Sequence, residues 1–332
     1  MAQRVTIKSI AHDLGISHMT VSRALSGHPN VNEETREAVL QHAQKLGYVR
    51  SAAAAAMRGE GTRIIGLLLP NIVNEFYARY ANALALACDA RDHQLIIHLT
   101  NDDHVLEHRA LLRLQQVQAD AVVYVPAPRP GGSEEIRGSG MRLIQLLRHR
   151  QETRSTQFVS LNDAVAIGDA VRHLAHGGHR NIGYIGGSED LSSGRERLHA
   201  FRKGLIQAGL EERTDAVHTG SPTFETGRRA VGALLADEAI DAVICGGFEI
   251  SNGALSGCME STRYRGGHFS LIGYGNPSYY RWIGDGIATV DIPVEELVNG
   301  AMELLADQHP DAPTHNKVVQ ARFVVPGRNT GH

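Results

Sequence analysis

The chain has 332 residues, of which 42% are hydrophobic and 21% charged, and its formal net charge is -3. This composition is ordinary for a soluble protein of two or three domains, and the chain as a whole is not basic enough to indicate nucleic-acid binding. Residues 1–60, however, carry seven basic and five acidic side chains, a charge of +2 that leaves -5 for the rest. A mildly basic N-terminal segment on an acidic body suits a DNA-binding protein.

The N-terminus has no apolar signal region, and no stretch approaches the ~18 uninterrupted apolar residues of a membrane span. We therefore expect a cytoplasmic protein that makes no membrane contact. Cys88, Cys245 and Cys258 lie in apolar or helical segments without paired spacing. Buried free thiols explain them better than a disulfide or a metal site, so no metal and no cofactor is predicted.

The first 25 residues predict two short helices joined by a tight turn. Apolar residues recur at helical spacing between Ile7 and Leu14, Gly15 breaks the run, and Ser17 can cap a second helix with Val21 on its inner face. This layout is that of a helix-turn-helix, whose second helix lies in the DNA major groove. An ordinary helical hairpin with a solvated outer face is the alternative.

A third helix is predicted to begin after Asn32, a good N-cap that is followed by acidic residues in the first turn. Gly47 would end it. The segments 6–11, 15–17, 20–27, 31–36 and 46–48 together closely resemble the N-terminal headpiece of the LacI/GalR family of bacterial transcriptional regulators.

The resemblance implies a DNA-binding headpiece over residues 1–49 and a hinge helix over 50–61 that orders in the minor groove. His18 and Met19 would set base specificity, Arg23 would contact a base or a phosphate, and short hydroxyl side chains would anchor phosphates. The full set of predicted DNA contacts is Thr6, Ser17, His18, Met19, Thr20, Ser22, Arg23, Asn30, Tyr48, Ala54 and Met57.

The predicted hinge contains an alanine run over 52–56, which favours a helix that is only marginally stable until it binds DNA. Met57 stands where the family usually has a leucine that wedges between base pairs. Arg50 and Ser51 replace the usual proline and asparagine, which leaves the entry angle of the hinge undefined. A plain flexible linker is the alternative.

From residue 62 onward, short apolar runs alternate with helical segments, a pattern typical of parallel sheets covered on both faces. The predicted strands are 64–69, 95–99, 121–125, 181–185, 241–245, 271–274 and 287–290. The predicted helices are 76–91, 105–117, 164–175, 195–208, 225–236 and 250–261. The fold class is therefore an all-α helix-turn-helix headpiece followed by an α/β core of two parallel-sheet lobes.

The regulatory core of the family resembles periplasmic sugar-binding proteins, in which the chain crosses between two lobes three times. This resemblance places lobe 1 at about 62–161 and 291–321, and lobe 2 at about 162–290 and 322–332. Ligands of open α/β sheets bind at the carboxyl ends of the strands, so the cleft between the lobes is the predicted effector site.

Matching the family's cleft residue by residue gives a predicted effector site of Asn74, Phe76, Tyr77, Asn162, Ser193, Arg197, Phe248 and Asn276. Phe76 and Tyr77 could stack on a sugar face, although aromatic residues at a helix start are as often part of the core. Arg197 would grip a carboxylate or adjacent hydroxyls, with a solvated helix charge as the alternative.

The chain departs from the family where acidic residues usually bind sugar hydroxyls. Asn162-Asp163 replaces Asp-Asn, Gly247-Phe248 replaces Asn-Asp, and Gly275 replaces aspartate. Fewer carboxylates beside Arg197 predict a positive cleft and an anionic effector. The triplet from His18 to Thr20 also resembles the Lys-Met-Thr of gluconate-type repressors, so we predict a sugar acid such as gluconate.

These features predict a homodimeric repressor that binds a palindromic double-stranded operator and responds to a carbohydrate-type effector. Closure of the cleft would change the spacing of the two hinges of the dimer. The sequence does not distinguish an effector that releases DNA from one that recruits it. A solute-binding protein of the same core fold is the alternative. A nucleotide-dependent enzyme is not expected, since the chain has neither a G-x-G-x-x-G opening a helix nor a P-loop.

Overall fold

The structure is a computed structural model, and it describes residues 5–48, 61–128, 140–150, 157–306 and 316–327. The chain divides into two compact units, one up to residue 62 and the other from residue 63 onward. Each unit has its own hydrophobic core. Residues 50–60 of the predicted hinge, including Ala54 and Met57, lie outside the described residues.

The N-terminal unit consists of three helices, α1 (Ile7–Leu14), α2 (His18–Leu25) and α3 (Glu33–Lys45). Their inner faces meet at Ile10, Val21 and Val39, which are completely buried. Gly15 ends α1 with a φ of 65°, a left-handed conformation that favours glycine. The predicted helix-turn-helix is therefore confirmed, including its glycine turn.

The core contains two six-stranded sheets. The first has the order β11-β5-β4-β3-β1-β2, and all its neighbouring strands are parallel. Its strands are β1 (Ile64–Leu69), β2 (Gln94–Leu99), β3 (Ala121–Tyr124), β4 (Arg142–Leu147), β5 (Gln157–Asn162) and β11 (Lys317–Gln320). Every residue of β1 and β3 is buried, as expected for strands covered on both faces.

The second sheet has the order β12-β10-β9-β8-β6-β7. Its strands are β6 (Ile182–Gly187), β7 (Val217–Gly220), β8 (Ala242–Gly246), β9 (Ser270–Tyr274), β10 (Thr289–Asp291) and β12 (Arg322–Val324). The two sheets and their helices define lobe 1 and lobe 2. The chain passes between them after β5, after β10 and between β11 and β12.

Helices cover the two sheets. They are α4 (Glu75–Asp89), α5 (His104–Gln116), α6 (Ala164–His176), α7 (Ser192–Gln207), α8 (Phe224–Ala236), α9 (Phe248–Glu260), α10 (Thr262–Arg265) and α11 (Val294–Ala306). Two short 3₁₀ helices span Thr214–Ala216 and Ser278–Trp282. The predicted α/β core of two lobes is thus confirmed.

Lobe 2 differs from the expected all-parallel sheet at β12, which runs antiparallel to β10. Only Ala321 separates β12 from β11, so the chain continues almost directly from one sheet into the other. Since β11 runs toward the gap between the lobes, β12 must run away from it. The strands β4, β5, β7, β11 and β12 were not predicted, because they are short or because polar residues such as Gln145 and Thr219 interrupt their apolar pattern.

The three cysteines are buried free thiols, as predicted. Among the described helices, none combines the length and apolar character needed to cross a bilayer.

Candidate DNA-binding and ligand-binding sites

Helix α2 presents a polar surface to solvent. His18, Met19 and Arg23 are exposed, and 53% of the Met19 surface is accessible although the residue is apolar. Thr20 and Ser22 are half-buried beside them. A helix that exposes His18 and Met19 in its first turn, with Arg23 in its last turn, has the form required to contact base edges and phosphates in a major groove.

The predicted phosphate contacts Thr6 and Ser17 are also the N-caps of α1 and α2. The Thr6 hydroxyl accepts a hydrogen bond from the Ser9 amide at 3.2 Å, and the Ser17 hydroxyl accepts one from the Thr20 amide at 3.0 Å. Both residues are exposed. These caps fix the starts of the two helices and place their hydroxyls and first amides where a phosphate could bind.

The other two described candidates lie around α3. Asn30 is exposed in the turn between α2 and α3, and the Arg36 guanidinium holds that turn by donating to the carbonyls of His28 and Val31, each at 3.1 Å. Tyr48 packs half-buried against the headpiece core. The structure thus gives Asn30 a fixed loop position and Tyr48 a partly structural role.

A cavity of about 80 Å³ lies between the two lobes of the core. It is formed where β1, β2, β4, β6, β8 and β9 end, as expected for a ligand site in open α/β sheets. Six of the predicted effector residues line it, namely Asn74, Phe76, Tyr77, Ser193, Arg197 and Phe248.

Arg197 enters the cavity from the second turn of α7. Its Nε donates to Asp163 Oδ2 at 2.6 Å, and its Nη1 donates to the Gly246 carbonyl at 3.2 Å. The guanidinium lies 4.3 Å from the centroid of the Tyr274 ring, and the Tyr274 hydroxyl also donates to Asp163 Oδ2, at 2.6 Å. Arg197 is therefore a buried, paired cation rather than a solvated one.

Gly194 explains how α7 reaches this position. A Cβ atom at residue 194 would lie 2.1 Å from the Ser188 carbonyl oxygen, so only glycine permits the first turn of α7 to approach the loop after β6. This close approach aims Arg197 toward Asp163, the residue immediately before α6.

Lobe 1 contributes a second arginine to the cavity. Arg148 follows β4, and its Nη1 donates to Asp102 Oδ1 at 2.6 Å and to the Pro126 carbonyl at 3.3 Å. Arg148 is buried, and Asp102 follows the end of β2. Each lobe thus supplies one arginine paired with a carboxylate of the same lobe.

Glu249 is the remaining acidic residue of the cavity lining. It lies in the first turn of α9, directly after Phe248. Burial raises the pKa of the Glu249 carboxyl above its ordinary value. Within the described part of the chain, no side chain forms a hydrogen bond or an ion pair with it.

Aromatic rings provide much of the apolar wall. Phe76 and Tyr77 are both buried, with their ring centroids 5.4 Å apart in an edge-to-face arrangement. Phe248 lies over Gly275, where an added Cβ atom would come within 2.3 Å of its ring. Phe76 and Tyr77 therefore belong to the core and also face the cavity, so the two interpretations of these residues are compatible.

Two predicted effector residues do not line this cavity. The Asn162 side chain instead accepts a hydrogen bond from the Ala164 amide at 3.3 Å, at the start of α6. Asn276 follows the turn at Gly275, which has a φ of 83° and lies against the Phe248 ring. The Phe248 ring lines the cavity, and Asn276 does not.

The predicted positive charge of the cleft is wrong. Two arginines are present, but Asp102 and Asp163 neutralise them and Glu249 adds a further carboxylate. The positions at which the family usually has acidic residues carry other residue types here, and acidic residues elsewhere around the cavity supply the carboxylates.

Comparisons with known proteins agree with this architecture. Residues 6–51 match the family described as bacterial regulatory proteins, lacI family, and residues 171–329 match the periplasmic binding protein-like domain. Residues 6–51 therefore form a lacI-family DNA-binding domain, and residues 171–329 form a periplasmic binding protein-like domain.

Curated relatives of this protein include catabolite control protein A of Priestia megaterium, which is 26% identical over 95% of this chain and 96% of its own length. The repressor PurR of Erwinia tasmaniensis is 29% identical over 91% of this chain and 90% of its own length.

Among solved structures, the lac repressor dimer bound to operator and the anti-inducer ONPF has a TM-score of 0.83 at 18% identity, and the match covers 99% of this chain and 100% of that one. The CelR-cellobiose complex has a TM-score of 0.72 at 23% identity, covering 98% and 100%. At these identities the structural matches establish the fold.

Several cavity residues escaped prediction, above all Asp102, Arg148, Glu249 and Tyr274. Asp102 and Tyr274 lie at or just beyond the ends of predicted strands, so the rule that ligands bind at strand ends could have identified them. Arg148 had no such signal, because its strand was not predicted.

Proposed function

We propose that this protein is a dimeric, sequence-specific transcriptional repressor whose affinity for operator DNA is controlled by a small carbohydrate in the interlobe cavity. The observation that carries this proposal is the combination, in one chain of the LacI family, of an exposed helix-turn-helix surface and a two-lobed core enclosing a polar cavity. The headpiece supplies a DNA contact, and the core supplies a ligand site.

On DNA, we expect His18 and Met19 at the exposed start of α2 to contact bases. Arg23 would contact a base or a phosphate, and the hydroxyl groups of Thr20 and Ser22 would bind phosphates together with the helix caps. The predicted minor-groove contacts of Ala54 and Met57 extend this proposal beyond the described residues.

An exposed apolar face on lobe 1 supports a homodimer. The strand β2 lies at the edge of its sheet and exposes Ile97 and Leu99. The helices α4 and α5, which both contact β2, expose Leu86 and Val105, and Leu86 is 65% accessible. An exposed sheet edge with apolar side chains on it and on the neighbouring helices is typical of a protein interface. A second copy would place two headpieces on the half-sites of a palindrome.

A carbohydrate suits the cavity because aromatic rings and paired charged groups line it together, offering both an apolar wall and directional hydrogen bonds. The CelR structure is a complex with cellobiose. The sugar acid predicted from sequence keeps the support of the His18 to Thr20 triplet, but the charges of the cavity count against it.

Cross-lobe contacts near the cavity offer a route to DNA control. The His149 amide of lobe 1 donates to the Ser192 hydroxyl of lobe 2 at 3.0 Å, and the His149 ring lies 3.7 Å from the Glu196 carboxylate. A ligand that changes the separation of the lobes would alter these contacts and shift the balance between two arrangements. A coupling of about 1–3 kcal/mol is typical of such control.

Two alternatives predict different behaviour. A solute-binding protein of the same fold would bind a carbohydrate without selective DNA binding. An enzyme would convert the bound sugar, whereas the LacI family consists of transcriptional regulators. Among the described residues, no group of three or more His, Cys, Asp or Glu side chains could hold a metal ion.

The test is fluorescence anisotropy of the purified full chain on a pool of palindromic operators at two salt concentrations. We expect selective binding that weakens with salt and responds to a carbohydrate. Arg23→Ala should reduce operator affinity by about 1–3 kcal/mol of binding free energy.

Arg229→Ala is the matched control, since Arg229 is also an exposed helical arginine but lies on α8 of the core. It should bind the operator like the unmodified protein. Carbohydrate binding without any selective DNA binding would favour the solute-binding alternative, and chemical conversion of the sugar would favour an enzyme.

A further inference from the structure

We propose that Glu249 selects the effector by charge, so that the cavity prefers carbohydrates presenting neutral hydroxyl or positively charged amino groups over the corresponding sugar acids. This inference rests on the proposed function, because it concerns the ligand of the same interlobe cavity. Glu249 would determine the class of ligand, a role that the resemblance to the family does not assign to it.

Both cavity arginines are neutralised by carboxylates of the protein itself. Arg148 is paired with Asp102 in lobe 1, and Arg197 with Asp163 in lobe 2. The nitrogen–oxygen distance is 2.6 Å in both pairs. Neither guanidinium therefore has an uncompensated positive charge that an anionic ligand would neutralise. With these pairs neutral, the charge that remains on the cavity wall is the carboxylate of Glu249.

Among the described residues, Glu249 has no cationic partner. Burial raises the pKa of Tyr77 in α4 and of Tyr279 in the 3₁₀ helix, and the charge of Glu249 raises each of them further. The Tyr279 hydroxyl already donates to Asn252 Oδ1. No described arginine, lysine or histidine forms an ion pair with the Glu249 carboxylate, which lies at the amino end of α9.

Desolvation of Glu249 penalises an acidic ligand. The carboxylate lines the cavity and accepts no hydrogen bond from a described side chain, and burial raises its pKa. A ligand hydroxyl or ammonium group at this position would supply such donors. A ligand carboxylate would bring a second negative charge into a poorly solvated space.

The arginines remain useful to a neutral ligand. Arg197 engages Asp163 through Nε and Gly246 through Nη1, and Arg148 engages Asp102 most closely through Nη1. Their outer N–H groups can donate to sugar hydroxyl oxygens without breaking either ion pair. The cavity thus offers donors from the arginines and an acceptor from Glu249, a combination that matches vicinal hydroxyl groups.

The experiment is titration calorimetry of the full chain with matched sugars of different charge. The probes are glucose, glucosamine, glucuronate and gluconate, then galactose, galactosamine and galacturonate, all in one buffer at neutral pH. The unmodified protein is compared with Glu249→Gln, which retains the shape but removes the charge. Glu260→Gln is the control, since Glu260 lies at the other end of α9 and pairs with Arg228 at 3.0 Å.

We expect the neutral or amino member of a set to bind at least about tenfold more tightly than its acid, as a close like charge in a desolvated site predicts. Glu249→Gln should lower the ratio of the two affinities, amino sugar over sugar acid, by about tenfold. The amino sugar should bind more weakly and the acid more tightly. Glu260→Gln should leave the ratio unchanged.

Tighter binding of an acid than of its neutral parent, with no change of the ratio in Glu249→Gln, would overturn the inference while leaving a carbohydrate-responsive regulator intact. If no sugar of any charge binds, the carbohydrate effector fails and this inference fails with it. Selective operator binding, measured separately, then still decides whether the protein is a DNA-binding regulator.

Discussion

The two arginines of the interlobe cavity are held in different ways. Arg197 in lobe 2 contacts Asp163, the Gly246 carbonyl and the face of Tyr274, and the Asp163 side chain is only 5% exposed. Arg148 in lobe 1 bonds closely to Asp102, whose side chain is 25% exposed. The two arginine side chains are similarly enclosed, with Arg197 13% and Arg148 9% exposed, so the pairs differ at the carboxylate: Asp163 lies within a network, whereas Asp102 borders solvent.

This difference separates a structural ion pair from an adaptable one. A fully enclosed charge depends on its partner because no water can replace it. A carboxylate at the edge of the cavity can exchange its arginine for water or for ligand hydroxyls at smaller cost. We therefore expect lobe 2 to provide the rigid half of the ligand site and lobe 1 the half that adjusts.

The largest expected effect is that of Asp163→Ala, which leaves Arg197 buried without its carboxylate. We expect a loss of about 3–5 kcal/mol in the free energy of unfolding, measured by urea denaturation. The matched variant Asp102→Ala should lose about 1–2 kcal/mol, since Asp102 borders solvent and water can enter the space that its carboxylate leaves beside Arg148. Equal losses for the two variants would contradict the distinction between the pairs.

Tyr274→Phe tests the network that encloses Asp163. The change removes the hydroxyl that donates to the carboxylate but keeps the ring beneath Arg197. We expect a loss of about 1.5–3 kcal/mol, the usual range for a hydrogen bond to a charged group.

Tyr279→Phe is the comparison, because its hydroxyl donates to the neutral amide of Asn252. It should cost about 0.5–1.5 kcal/mol in the same urea assay. A Tyr274→Phe protein as stable as Tyr279→Phe would show that Tyr274 contributes little to holding Asp163.

The smallest expected effect is a pH dependence of stability from Glu249. Because its pKa is raised in the folded protein, the folded state binds this proton more tightly than the unfolded state. The corresponding stability is present below the ordinary pKa of 4.5 and is lost as the pH rises through the folded value. Glu249→Gln should flatten the stability profile above pH 4.5, whereas Glu260→Gln should not.

The headpiece and the buried strands of the core illustrate what could be predicted from sequence. Thr6, Ser17 and Asn32 act as the N-caps of their helices, and Gly15 ends α1, because each signal lies within a few residues of the backbone group that it satisfies. Buried strands such as β1 were equally evident as apolar runs. Local patterns were sufficient wherever the interaction was local.

The cavity required the tertiary structure. Asp163, Arg197 and Tyr274 form one network although Asp163 and Tyr274 are 111 residues apart, and Asp102 meets Arg148 across 46 residues. The order and register of the strands decide such meetings, and no local pattern encodes them. Counting acidic positions along the chain gave a positive cleft, because the count could not show that Asp163 neutralises Arg197.

By itself, the sequence therefore determined the helix-turn-helix and the alternating α/β core, since helical periodicity, capping and apolar runs are short-range properties, and the resemblance to the family predicted Arg197 as a cleft residue. Only the tertiary structure decided which carboxylates accompany the arginines, and that Glu249 is left without a partner among the described residues. The charge of a buried site is a sum over side chains from distant parts of the chain, and folding alone brings them within a few ångströms of one another.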